Sequence, residues 1–141
     1  MCLERVTKTA TLKNDRVGWK VFVVDEEGTL CGDCTGAPFN PGKNTAKSVR
    51  PQRRAMFDMF ATRILSEAGT WYDAGFHLWG KKATAEDWRD GREVIVKVTI
   101  PAGTKVTYGK NRIAYGTATT IVAQTIIIDK DDYDSAVYLG V

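Results

Sequence analysis

Apolar residues alternate most cleanly over residues 93–100. Val94, Val96, Val98 and Ile100 occupy every second position there, the period of a strand with one buried face. Residues 18–24 are aromatic and β-branched, which predicts another strand. Residues 5–12 alternate loosely, and residues 13–16 supply a turn. The Asp25-Glu26-Glu27-Gly28 turn signal predicts that residues 29–34 pair back as a hairpin. Gly, Pro and Asn reach loop density over residues 35–45.

The period then changes. Met56, Met59, Phe60 and Ile64 recur at spacings of three and four, predicting a helix over residues 51–68. Pro51 suits its first turn, Ser48 lies upstream as a cap, and Gly69 stands where a C-terminal glycine belongs. The most aromatic stretch follows at residues 71–80, where alternation sets Phe76 and Leu78 on one face and His77 and Trp79 on the other. A capping pattern at Thr84-Ala85-Glu86-Asp87 predicts a short helix over residues 84–90, ended by Gly91. Residues 104–108 and 112–115 read as a hairpin around Gly109-Lys110-Asn111, and residues 120–128 as a last strand. These elements predict an α+β fold, a mainly antiparallel sheet with one long and one short helix.

The 141 residues suit a single domain, 1–141, large enough to fold without metal or disulfide. Three cysteines cannot all pair within one chain, which favours a reducing compartment. The first residues lack an apolar leader and no apolar run is long enough to cross a bilayer, so a cytoplasmic protein is expected. The net charge is only +3, but it is uneven. No acid lies between Asp33 and Asp58, where Lys43, Lys47, Arg50, Arg53 and Arg54 cluster; Asp129, Asp131, Asp132 and Asp134 crowd the tail. Such a basic run is either a solvated face or a phosphate-binding one, and composition does not separate the two.

Cys31-Gly32-Asp33-Cys34 has the spacing of half a zinc site, but Cys2 and His77 are all that could complete it, so no metal is expected. No phosphate-binding glycine loop, nucleophile elbow or paired-carboxylate signature is present, which argues against an enzyme. What remains suits binding. Trp71, Tyr72, Phe76 and Trp79 offer flat faces to a base, and Arg50, Arg53, Arg54, Arg89, Arg92 and Arg112 offer forked donors to phosphate.

Gly75-Phe76-His77 and Ile100-Pro101-Ala102-Gly103-Thr104 stand in order with Val17-Gly18-Trp19-Lys20-Val21-Phe22 before them and a closing Thr119-Thr120-Ile121-Val122-Ala123-Gln124-Thr125-Ile126. In this pattern the chain resembles the Tad1-like family of phage anti-Thoeris proteins. The resemblance spans most of the chain, and residues 35–54 fall outside it. It implies a small antiparallel-sheet protein with two helices, assembling as dimers or higher oligomers, hexamers among them. It implies sequestration of cyclic ADP-ribose isomers, and in some members of cyclic oligonucleotides, in the cytoplasm of an infected bacterium and with no cofactor. Carried over by position, it points to Phe76, His77 and Arg112 as ligand contacts. Trp79, Arg50, Arg54 and Arg89 join them on chemistry alone. The alternative is a phage or prophage protein that binds nucleic acid or a host protein through residues 43–54. An enzyme acting on the same messengers ranks third.

Overall fold

The computed structural model describes residues 3–33, 36–46 and 63–140. Eleven strands and two helices follow one another among them. They are β1 (Arg5–Thr11), β2 (Arg16–Val24), β3 (Leu30–Gly32), β4 (Gly42–Thr45), β5 (Arg63–Leu65), β6 (Trp71–Asp73), β7 (Phe76–Trp79), α1 (Lys82–Trp88), β8 (Val94–Ile100), β9 (Lys105–Ile113), β10 (Gly116–Ala123), β11 (Thr125–Ile128) and α2 (Lys130–Gly140). The fold is α+β, an antiparallel sheet with a short and a longer helix.

The main sheet runs β1-β9-β10-β7-β2-β8-β11-β4, with β3 hydrogen-bonded to β2. Gln124 alone separates β10 from β11, yet β10 pairs with β7 while β11 pairs with β8. One bent strand therefore closes the path through β7, β2 and β8 into a barrel-like ring. The ring encloses Phe22, Leu78, Val96, Val98, Ile121 and Ile126, all essentially removed from water. Each such side chain contributes roughly 1.5–3 kcal/mol by its burial.

The alternation along residues 94–100 produces the expected result. Val94, Val96, Val98 and Ile100 face this core, and β8 pairs with β2 from Arg16↔Ile100 to Phe22↔Val94. The β2–β3 hairpin forms where the sequence places it. The short helix forms two residues earlier than expected, at Lys82–Trp88, and Thr84 is not its cap: the N-cap position is Lys81, without a side-chain hydrogen bond, and Thr84 is buried within the helix.

Four expectations need correction. The predicted helix over 51–68 lies outside the described residues as far as residue 62, but its end is not helical. Arg63–Leu65 is β5, paired with β6. Gly69 adopts φ +91° in the intervening turn, where its N–H donates to the Ser66 carbonyl at 3.0 Å. A left-handed glycine serves a hairpin turn as well as a helix end. Among the described residues the longer helix is α2, in the acidic tail. Asp129 Oδ1 accepts from the N–H groups of Asp131 (2.9 Å) and Asp132 (3.3 Å), so these acids cap the helix and face its positive end.

The hairpin turn expected at Gly109-Lys110-Asn111 is strand. β9 runs through it and turns at Ala114-Tyr115 into β10. Gly109 is there for close approach, since a Cβ would sit 2.7 Å from the Arg5 carbonyl oxygen. Finally, the loop expected over residues 35–45 contains β4. Asn44 is buried, and its amide donates to the Asn40 carbonyl at 2.8 Å while its Oδ1 accepts from the Asn40 N–H. This side chain substitutes for backbone partners that a Gly- and Pro-rich segment lacks.

Thr120 is fully buried where β10 meets β7 and β9, and its Oγ1 has no hydrogen-bond partner among the described residues. A buried hydroxyl left unsatisfied costs about 1–3 kcal/mol. Thr120→Val keeps the branched shape and removes that cost. Its midpoint in chemical denaturation is expected to rise, by about 1 kcal/mol in unfolding free energy; a lower midpoint would contradict the assignment.

Candidate functional site

The sequence-predicted site residues do not converge. Phe76 is a core residue, its ring 5.2 Å from that of Phe39, which packs in turn on Phe22 at 5.0 Å. Trp79 is buried on the other face of β7 against Ala85, with Trp88 5.5 Å away. Neither ring faces solvent in this chain. Arg112 is exposed on β9, its Nε donating to Glu4 Oε2 at 3.1 Å. Arg50 and Arg54 lie outside the described residues. Arg89 is at the C-terminal end of α1 and alone lines the cavity described below.

His77 occupies a third environment. Its Nε2 is 3.4 Å from Tyr72 Oη, which accepts the Leu3 N–H at 3.0 Å. Its carbonyl accepts from Lys20 Nζ at 3.2 Å. Part of the residue reaches solvent, but the imidazole lies among packed neighbours. Burial is the main cause that pushes its pKa down to about 3, and the Lys20 ammonium adds to the effect. His77 is therefore neutral at physiological pH, and through Tyr72 it ties the chain's first described residues to β6 and β7.

Cys31 is buried, its Sγ 3.7 Å from Asp25 Oδ2. Burial first, then the Asp25 carboxylate, push its thiol pKa up, which disfavours the thiolate that metal binding or nucleophilic attack requires. Cys34 lies outside the described residues.

The two segments that carry the family resemblance have local structural roles. A Cβ on Gly75 would approach the Ala123 carbonyl oxygen to 2.8 Å. After Ile100 in the core, Gly103 turns the chain at φ +86°, and its N–H donates to the Leu12 carbonyl at 2.8 Å.

A cavity of about 830 Å³ opens between α1, the turn after it and the end of α2. Its apolar floor is Val94, Ile95, Ala136 and Leu139. Lys82, Glu86, Arg89, Arg92 and Glu93 line its walls. Glu86 is paired with Lys82 at 3.9 Å, and Glu93 accepts the Asp90 N–H at 2.7 Å. Neither Arg89 nor Arg92 has an ion pair among the described residues, so two guanidinium groups border an apolar surface, with the Glu86 and Glu93 carboxylates in the same walls. Arg92 is recognisable in sequence as a forked donor three residues after Arg89. The floor is not, because it combines a strand with a helix some forty positions further along.

That arrangement suits a ligand with an apolar face and a doubly charged edge. Pockets for small ligands commonly span about 300–1,000 Å³. Among the described residues no group of three or more His, Cys, Asp and Glu could hold a metal ion, and no helix is long and apolar enough to cross a membrane. No protein-family model, no curated protein and no solved structure matches the chain.

Proposed function

We propose that this chain binds and sequesters a cyclic nucleotide messenger of the cyclic ADP-ribose kind and releases it unchanged. The observation that carries the reading is the cavity in which Arg89 and Arg92, neither of them ion-paired among the described residues, stand beside an apolar floor. An adenine ring would lie on that floor. The pyrophosphate would accept charge-assisted hydrogen bonds from the two guanidinium groups, which are about twice as strong as neutral ones. Sequestration requires tight, reversible burial and no nucleophile.

The family resemblance supplies the biological setting, a phage protein that removes an immune messenger in its bacterial host, and with it assembly into homo-oligomers. The cross-strand pair Leu65↔Trp71 supports the assembly, because both side chains are exposed on one face of the β5–β6 hairpin. Of the segment on which the alternative reading rests, residues 43–54, Lys43 is exposed on β4 and residues 47–54 lie outside the described residues.

Calorimetry with cyclic ADP-ribose isomers tests the proposal. Wild-type protein should give saturable heat, and the nucleotide recovered after denaturation should have its original mass. Arg89→Ala should weaken binding by about 1.5–3 kcal/mol, roughly ten- to a hundred-fold, with the melting curve unchanged. Absence of heat with every cyclic nucleotide would sink the reading; unchanged affinity in Arg89→Ala would remove this cavity from it.

A further inference from the structure

A second cationic site lies on the opposite part of the sheet. Residues directly opposite one another in an antiparallel pair share a face. Lys8 faces Tyr108, and Arg5 faces Lys110. Arg5 and Lys8 are three residues apart and would point to opposite faces of a regular strand. The register shift between Val6 and Lys8 brings them to the same one, which is how a β-bulge re-aims a side chain. Along β9 the alternation adds Arg112 to Tyr108 and Lys110 on that face. Arg16 reaches it from β2, donating from Nη1 to Tyr108 Oη at 3.3 Å.

Tyr108 holds this cluster together. The Lys8 ammonium lies 5.1 Å and the Arg16 guanidinium 5.2 Å from its ring centroid. The ring's negative faces attract both cations and fix their positions. Lys110 Nζ donates to Thr119 Oγ1 at 2.8 Å, across from it on β10. Arg5, Lys8, Arg16 and Lys110 are all exposed, and none has an ion pair among the described residues. The one acid engaged is Glu4, on Arg112. Like charges set directly opposite, as Arg5 and Lys110 are, destabilise a sheet. The fold thus assembles positive charge that nothing in the described chain neutralises. At the end of the same strand, in the β9–β10 turn, Tyr115 is 94% exposed.

We propose that this face binds single-stranded nucleic acid, with Arg5, Lys8, Arg16 and Lys110 at phosphates and Tyr115 stacking on a base. The surface is open, so each contact with a small anion would be weak. A polyanion instead engages several at once and gains from released counterions. Among the described residues no helix stands on this face to enter a duplex groove, whereas a basic sheet surface leading to an exposed aromatic ring is how single strands are held. From Tyr108 to the turn is a path of about 20 Å, enough for about four nucleotides. Tyr108 acts as a positioning residue for the two cations on its ring.

Fluorescence anisotropy of a labelled oligothymidylate of about 20 nucleotides, titrated between about 50 and 200 mM salt, tests this. Wild-type protein should bind, with affinity falling steeply as salt rises. The Lys8→Gln, Arg16→Gln, Lys110→Gln triple variant should bind roughly ten-fold or more weakly, with a salt slope shallower by about 2–3. Tyr115→Ala should lose about five-fold or more in affinity with little change in slope, as expected for stacking. No binding at the lowest salt, a triple variant that binds like wild type, or equal-length duplex preferred over the single strand would each overturn the proposal. Calorimetry with a cyclic ADP-ribose isomer, run on the same triple variant, keeps this site distinct from the cavity: its failure there for wild type as well would concern the cavity alone.

Discussion

Phe76→Ala is expected to destabilise the protein by about 3–5 kcal/mol, the usual cost of emptying a phenylalanine-sized space in a core. Phe76 is buried at the start of β7 and completes a row of rings with Phe39 and Phe22. Removing it leaves Phe39 without a partner on one side. The strand cannot close the gap, because Ala123 and Val122 of β10 hold Phe76 and His77 in register. Urea denaturation at neutral pH measures the loss as a lower midpoint with an unchanged slope. Phe76→Leu refills most of the space and should recover most of the stability. That second variant also decides between core and ligand contact. If Phe76 only packs, Phe76→Leu should bind a cyclic ADP-ribose isomer as wild type does, since the residue does not line the cavity. A stacking role would appear as an affinity loss on the order of 1–3 kcal/mol in a protein of near-normal stability.

Which parts of this molecule are readable from sequence follows from how far apart the interacting residues are. β8 announces itself because its three inward valines and its isoleucine are spaced by the strand's own period. The same holds for the β2–β3 turn, whose signal lies within a few residues, whereas α1 is present without the cap that Thr84 suggested. Gly69 and Gly109 misled for a common reason. A glycine reports a backbone need without saying which one, and here one serves a hairpin turn and the other a strand crossing close to Arg5. Asp129 looked like part of a solvated acidic tail because its role depends on a helix whose buried face is only Tyr133 and Ala136. Tyr133 Oη donates to the Phe39 carbonyl at 2.7 Å and accepts the Leu30 N–H at 3.0 Å, links across some hundred positions that periodicity does not carry.

The two proposed binding surfaces divide in the same way. Arg89 and Arg92 were legible as phosphate donors by type, but the floor between them and α2 exists only in the fold. The cluster on Tyr108 was not legible at all. Its cations come from three strands, and one bulge decides whether Arg5 belongs to it. The Gly75-Phe76-His77 segment shows the converse: a sharp sequence pattern whose visible work in this chain is to seat β7 against β10 and to bury a ring on each side.

Acidification should expose His77 as the chain's pH-sensitive point. It is the only histidine, so it alone among the side chains has an ordinary pKa between the carboxylates and the thiols. In the folded protein its pKa is pushed down to about 3, chiefly by burial; in the unfolded chain it returns to about 6.5. Above pH 6.5 both states are neutral there and the full stability is present. As pH falls below that value the unfolded chain takes up a proton that the folded one refuses, so stability is lost progressively toward the folded pKa. The slope is about 1.4 kcal/mol per pH unit, hence about 2 kcal/mol between pH 6.5 and 5. Asp73, hydrogen-bonded by Lys105, titrates below its ordinary value, so its contribution is lost at more acid pH than this window. Denaturation curves at pH 7, 6 and 5 should show the loss in wild-type protein. His77→Gln retains an acceptor for Tyr72 Oη but cannot titrate, so its stability should be level over the same range, whatever its absolute value. Equal wild-type stability at pH 7 and 5, or a His77→Gln protein that weakens in acid as wild type does, would show that the imidazole is not held neutral by its surroundings.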